Sequence, residues 1–198
     1  MGVTIHLLGS ICAMPRFNGG FVLIFIALFS GNLLAIDIDR PMTITLQASE
    51  NESVDIGQIT FTAKGEGYSY ELKLDEDKFE KQFLSMRPFD CMQKPEIMIC
   101  HLPYPYKNNR FISKEDMTDL EYDLLFLHKY PGEYGINAYN GIYYQMKMTD
   151  KGIEGLLHDV DMNELKVPPE EGNLRPITAD MLYQASPTKH WFMNVLIH

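Results

Sequence analysis

The chain has 198 residues, with 17 Lys and Arg against 27 Asp and Glu and a formal net charge of -10 at pH 7. That balance argues against nucleic acid as a partner, because neutralising phosphate with Lys and Arg supplies most of such affinity, and against electrostatic attachment to anionic lipid. Hydrophobic residues make up 45% of the sequence, enough for a real core in one domain of this length.

In chain order the first signal is FVLIFIALF at residues 21–29, an uncharged apolar run preceded by Arg16 and followed by a segment ending at Ala35. The run is shorter than the roughly 20 apolar residues a membrane-spanning helix needs. One positive charge, an apolar stretch and a small residue at its end predict a secretory signal peptide over 1–35, cleaved after Ala35. The part before Arg16 is long and weakly charged, and a start at Met14 would give a compact signal. An uncleaved N-terminal anchor is the competing reading. Cleavage removes one basic residue, Arg16, and no acidic one, which takes the net charge from -10 to -11. Residues 36–198 are then expected to form a single exported domain, periplasmic or secreted, with no stable membrane anchor.

Export decides the chemistry of the cysteines. Cys12 leaves with the signal, and Cys91 and Cys100 flank a turn that begins MQKP. Two cysteines in an oxidising compartment predict a disulfide. A zinc clip would want four ligands where only His101 is near, and a redox pair more often has Cys-x-x-Cys spacing. The structural staple is preferred over both.

Residues 42–48 alternate Met42, Ile44 and Leu46 against Thr43, Thr45 and Gln47, the pattern of a half-buried strand. QITFTAK and YSYELKLD flank GEG at 65–67 and read as a hairpin. Within DEDKFEKQFL, Phe79, Phe83 and Leu84 are spaced for one or two helical turns packing on a sheet. Ser113 followed by Asp116 predicts a cap opening a short helix in KEDMTDLEY, and DLLFLH at 123–128 reads as a buried strand. Residues 141–149 alternate Ile142, Tyr144, Met146 and Met148 against Tyr143, Gln145, Lys147 and Thr149. A DKG turn ending at Gly152 then returns the chain through IEGLLHDVD. A proline-rich loop over 166–176, a short helix TADMLYQA capped by Thr178 and a last strand HWFMNVLI complete the chain. The expected fold is mainly β with short helices, a β-sandwich or open barrel of hairpins carrying one disulfide.

Signals for chemistry are sparse. The sequence lacks a Gly-x-Ser-x-Gly elbow, a His-Glu-x-x-His pair, a phosphate-binding loop and a dinucleotide fingerprint, so no cofactor or metal is expected. His101, His128, His158, His190 and His198 are scattered without ligand spacing. In HDVD, Asp159 and Asp161 would share one strand face and His158 the other, which favours exposed strand-end charge over a metal or acid–base site. Ser113, Asp116 and Asp119 read as helix-start residues rather than catalytic ones.

Tyrosine is the compositional outlier. All 11 tyrosines follow residue 35, and PGEYGINAYNGIYY at 131–144 combines Tyr134, Tyr139, Tyr143 and Tyr144 with Asn137 and Asn140. A flat apolar body with a polar tip suits the gripping of sugars, peptides or protein surfaces, although tyrosine also simply favours strands. Tyr134, Asn137, Tyr139, Asn140 and Tyr143 are therefore the candidate binding residues. Tyr143, on the face shared by Gln145 and Lys147, is expected to be the exposed ring, and Tyr144 the buried one.

The segments FLSMRPFDC, EIMICHLPYPY, DLEYDLLFL and GEYGINAYNGIYY resemble exported bacterial proteins of unassigned function, over roughly residues 58–198. The resemblance implies a bacterial envelope protein and carries over no activity or site residue. Two function classes follow. One is a non-catalytic domain that binds an envelope protein or small ligand through its tyrosine-rich region. The other is a hydrolase or metal-dependent enzyme whose acidic and histidine residues meet only in the fold. Convergent His, Asp or Glu groups in a pocket would favour the enzyme, and an exposed aromatic patch the binder.

Overall fold

Alternating sequence builds strands along most of the chain. The computed structural model describes residues 36–198 apart from 49–51, 86, 131, 166, 170 and 171, and the predicted signal peptide lies outside the described residues. The elements are β1 (Pro41–Ala48), β2 (Ser53–Lys64), β3 (Gly67–Leu74), β4 (Glu80–Phe83), β5 (Pro88–Gln93), β6 (Met98–His101) and β7 (Phe111–Ile112). Helix α1 (Thr118–Asp123) follows, then β8 (Phe126–Lys129), β9 (Gly141–Thr149), β10 (Gly152–Val160), β11 (Leu182–Gln184) and β12 (Phe192–Ile197). All twelve strands join one antiparallel sheet in the order β4-β5-β6-β8-β9-β10-β12-β1-β2-β3-β7, with β11 beside β10. Among the described residues no helix is long and apolar enough to cross a membrane.

The sheet curls on itself. From β5 to β1 there are six strand spacings, about 29 Å if the sheet were flat. Yet Lys94, just past β5, forms an ion pair with Glu52 in the β1–β2 connection, and Trp191 Nε1 donates to the same carboxylate at 3.2 Å. Met92 and Ile99 accordingly share one core with Ile44, Leu46, Phe61, Phe126, Tyr144 and Val195. The edge strands β4 and β7 do not pair with each other, so the architecture is an open barrel.

Gly152 closes the β9–β10 hairpin at φ 125°, and a Cβ there would lie 2.0 Å from the Ile197 carbonyl oxygen. Both the backbone angle and the close approach of β12 require glycine at this position.

Several local expectations are corrected. Phe79, Phe83 and Leu84 do not share a helical face. Asp75 caps a single 3-10 turn at Glu76–Lys78, and edge strand β4 follows. Phe79 packs on the main core, Leu84 packs near the disulfide, and Phe83 is 77% exposed. The Ser113 hydroxyl accepts from the Glu115 and Asp116 amides, but this makes a turn. Helix α1 starts later, with the Asp116 carboxylate accepting from Thr118 N–H at 2.9 Å. The strand read over 123–128 begins at Phe126 because Asp123 still belongs to α1. Thr178 hydrogen-bonds Asp180 rather than capping a helix, and a 3-10 turn leads straight into β11, which pairs with β10.

The disulfide forms as expected. Cys91 and Cys100 are register partners on β5 and β6, with Cα atoms 4.0 Å apart and an S–S bond of 2.09 Å. Both are buried with Phe89 and Met98 on the sheet face opposite the main core. A disulfide marks an oxidising compartment. Cys91→Ser and Cys100→Ser should each lower stability by about 2.5 kcal/mol in a urea titration, because either opens the same short loop. Unequal losses would mean that packing at one sulfur matters more than the cross-link.

Candidate functional site

Three arrangements of polar and apolar groups have to be weighed as sites, and all adjoin strands β8 to β10. The first is the set of carboxylates on α1. Asp119, Glu121 and Asp123 all turn into the protein rather than toward water. Asp119 accepts from Phe111 N–H at 3.0 Å and pairs with Arg175. Asp123 accepts from the Tyr70 hydroxyl at 3.0 Å and from Asn108 Nδ2 at 2.9 Å. Glu121 accepts from Met146 N–H at 2.6 Å and from the Tyr143 hydroxyl. Burial raises the pKa of Glu121 and of Asp123 above the ordinary carboxylate range, against the pull of their hydrogen bonds. Each acid has its own set of partners. Together they tie β3, β7, β9 and the 173–177 segment to one helix, which is a structural task.

That helix explains why Tyr143 is not exposed. Strand β8 pairs with β9 only at Ile142 and Gly141, and beyond that point the Glu121 carboxylate takes the place of a strand at Met146 N–H. The outer face of β9 is thereby roofed by a second core of Tyr122, Leu125, Leu127, Tyr143, Val160, Met162 and Ile177. Tyr143 is 4% exposed and Tyr144 1%, so both faces of the strand are dry here, although Gln145 and Lys147 further along are exposed. The expectation of an exposed Tyr143 is overturned.

The other candidate binding residues fall in the loop before β9. Lys129, buried at the end of β8, donates its ammonium to the carbonyls of Glu133 and Gly135 and so fixes the loop's path. Asn137 accepts from Tyr139 N–H at 3.1 Å and caps the 3-10 turn Ala138–Asn140. Its amide reaches the Asn140 side chain at 3.4 Å, so both asparagines shape the turn. Tyr134 and Tyr139 project into solvent, 105% and 70% exposed.

The second arrangement is a cleft of about 320 Å³ on the outer face of the sheet, built where this loop folds back. Leu125 and Leu127 form its floor, Phe89 and Leu102 one side, Ile136 and Ala138 another, with Tyr104, Met162 and Leu165 completing it. The polar groups of its lining are the side chains of Ser85 and Arg87 and the Tyr104 hydroxyl, which is buried without a hydrogen-bond partner among the described residues. The Arg87 guanidinium lies 5.4 Å from the Phe89 ring centre and makes no ion pair among the described residues. The sequence did not mark this cleft, because its lining comes from five separate stretches of chain.

The third arrangement joins His128, Asp159 and His190. Register places Asp159 opposite Ile142, and Ile142 opposite Phe126, so Asp159 and His128 lie on the same sheet face at the rim of the main core. A turn closed by Lys189 N–H on the Ser186 carbonyl carries His190 over them. His190 Nε2 is 2.8 Å from Asp159 Oδ1, and the two imidazoles meet edge to face with centres 5.1 Å apart. Burial, then the neighbouring His190, holds the His128 pKa below its ordinary value and favours the neutral ring. His158 does point away from Asp159, as the alternation predicted, and hydrogen-bonds the Leu156 carbonyl at 3.0 Å. Asp161, past the end of β10, accepts from Asn163 N–H at 2.9 Å. No sequence spacing linked His128 and His190 to Asp159. The chain matches no known family model, no curated protein and no solved structure.

Proposed function

We propose that this protein is an exported, non-catalytic binding domain of the periplasm or cell exterior. Its ligand is a small amphiphile, an apolar chain or ring bearing an acidic group. The observation that carries this reading is the cleft of about 320 Å³ with leucine, phenylalanine and methionine walls and, at its margin, an arginine without a carboxylate partner among the described residues. Small-molecule sites are typically concave, mostly apolar and of about this size, with a few polar groups fixing orientation. An arginine fork matches a carboxylate or phosphate better than any other side chain does. The disulfide supports the reading in two ways, by its compartment and by tying together β5 and β6, whose Phe89 and adjoining Leu102 wall the cleft. In this reading the tyrosine-rich loop contributes Ile136 and Ala138 to the ligand seat, and its exposed rings Tyr134 and Tyr139 lie outside it.

Titration with a fluorescent long-chain carboxylate tests the proposal, with native mass spectrometry of protein from its host's envelope as a second readout. One ligand per chain is expected. Arg87→Ala should weaken the acid about 10-fold or more while sparing the matching alcohol, because charge-assisted hydrogen bonds contribute about 1.5–3 kcal/mol. Ile136→Glu, at a partly exposed position of the lining, should abolish binding of both. Absence of saturable binding to either probe, or equal affinities for wild type and Ile136→Glu, would reject the cleft as the site.

A further inference from the structure

The geometry points to a binding site for one divalent transition cation of the zinc type, with His128, Asp159 and His190 as its protein ligands. Each residue offers a ligand atom, and the three atoms lie within 4.8 Å of one another. Ligands held at about 2.0–2.2 Å from a tetrahedral zinc are roughly 3.4 Å apart, so closing on an ion needs side-chain adjustment and no movement of strands. The Asp159–His190 pair, at 2.8 Å, is already close enough.

The Asp159–His190 contact alone does not account for the cluster. His190 is 7% exposed, and its Nδ1 is buried with no hydrogen-bond partner among the described residues; Nδ1 of His128 is in the same state. A buried polar atom without a partner is destabilising, because it has lost water and gained nothing in return. A protein whose sheet, turns and helix acids are otherwise well paired has gathered two incompletely satisfied imidazoles around one carboxylate. A cation that takes Nδ1 of either ring supplies the partner that this buried atom lacks.

The donor set narrows the ion. Two imidazoles and one carboxylate suit zinc and its transition neighbours, whereas calcium and magnesium prefer all-oxygen shells. Three protein ligands leave a fourth position open to water or to a donor from outside, the arrangement of zinc sites that do more than hold a fold together. A separate cleft of about 350 Å³, lined by Tyr130, Thr188, Lys189, His190 and Trp191 among others, shares His190 with the cluster but neither His128 nor Asp159. It lies apart from the apolar cleft, with which it shares no lining residue, so this inference stands independently of the amphiphile reading.

The test is calorimetric titration of chelator-treated, disulfide-intact protein with zinc chloride, followed by cobalt(II) substitution read by visible absorption. One equivalent should bind, raise the melting temperature and give cobalt bands of low coordination number. Asp159→Asn and His128→Gln should each weaken zinc by about 100-fold or more, since even changes to groups behind metal ligands cost 10–100-fold. The Asp159 side chain is 34% exposed, so Asp159→Asn keeps the fold and decides the matter if His128→Gln does not fold. No saturable zinc binding, or binding of unchanged affinity in Asp159→Asn, would overturn the proposal.

Discussion

Tyr143→Ala should destabilise the protein by about 3–5 kcal/mol, the same range as Tyr144→Ala next to it, because both remove a large ring from a dry core. The two side chains leave β9 in opposite directions. Tyr144 enters the barrel interior, edge to face with Phe126 at 6.3 Å, and its hydroxyl donates to the Phe192 carbonyl at 3.1 Å. Tyr143 enters the outer core, perpendicular to Tyr122 at 6.1 Å, and its hydroxyl donates to buried Glu121. Neither site has a solvent-facing side toward which the cavity could relax. Tyr143→Phe separates the ring from the hydroxyl, and should cost about 1–3 kcal/mol by leaving one Glu121 oxygen short of a donor. Urea titrations of the three variants decide the matter. A loss under about 1 kcal/mol for Tyr143→Ala is what an exposed surface residue gives, and it would mean that the outer core is not formed.

The pair also marks where sequence reading succeeds and where it stops. Alternation found β1, the β2–β3 hairpin and the β9–β10 hairpin because these depend on residues near one another in the chain. The Cys91–Cys100 pairing came instead from the count of cysteines in an exported chain and the short turn between them. The same alternation puts Tyr143 with Gln145 and Lys147, and a polar-looking face predicts exposure. What covers Tyr143 is α1 together with the 162–177 region, and their arrival at that face depends on Tyr122, Met162 and Ile177 packing there. No local pattern carries that information. The His128–Asp159–His190 cluster failed to register for the same reason: one residue comes from β8, one from β10 and one from the turn before β12. Phe79, Phe83 and Leu84 fail differently. Their spacing permits a helix, but the 3-10 turn that Asp75 opens stops after three residues at extended Phe79, and the chain instead adds an edge strand to β5.

Glu121 has the second large expected effect, and its size depends on the substituent. Glu121→Ala strips Met146 N–H and the Tyr143 hydroxyl of their acceptor at once, two buried donors on one strand. A loss of about 2–4 kcal/mol is expected, since each unsatisfied buried donor costs about 1–3 kcal/mol. Glu121→Gln keeps an oxygen for Met146 and removes the charge, so it should be much milder. The pH dependence tells the two roles apart. Burial raises the native pKa of Glu121 above its ordinary value of 4.5, so the folded chain holds this proton more tightly than the unfolded chain does. As pH rises from about 4.5 toward the native pKa, the unfolded state ionises first and is favoured, and wild-type stability falls through that window. Above the native pKa the full cost is present and the curve levels. Asp123 shifts in the same direction, but it is common to wild type and variant and cancels in their difference. The stability of Glu121→Gln relative to wild type should therefore climb between acid and neutral pH and then stay constant, as read from urea midpoints at a series of pH values. A difference that is flat across the whole range would mean that the Glu121 carboxyl is ionised as easily as in the unfolded chain. The carboxylate would then sit in water, and the roof that α1 makes over β9 would be absent.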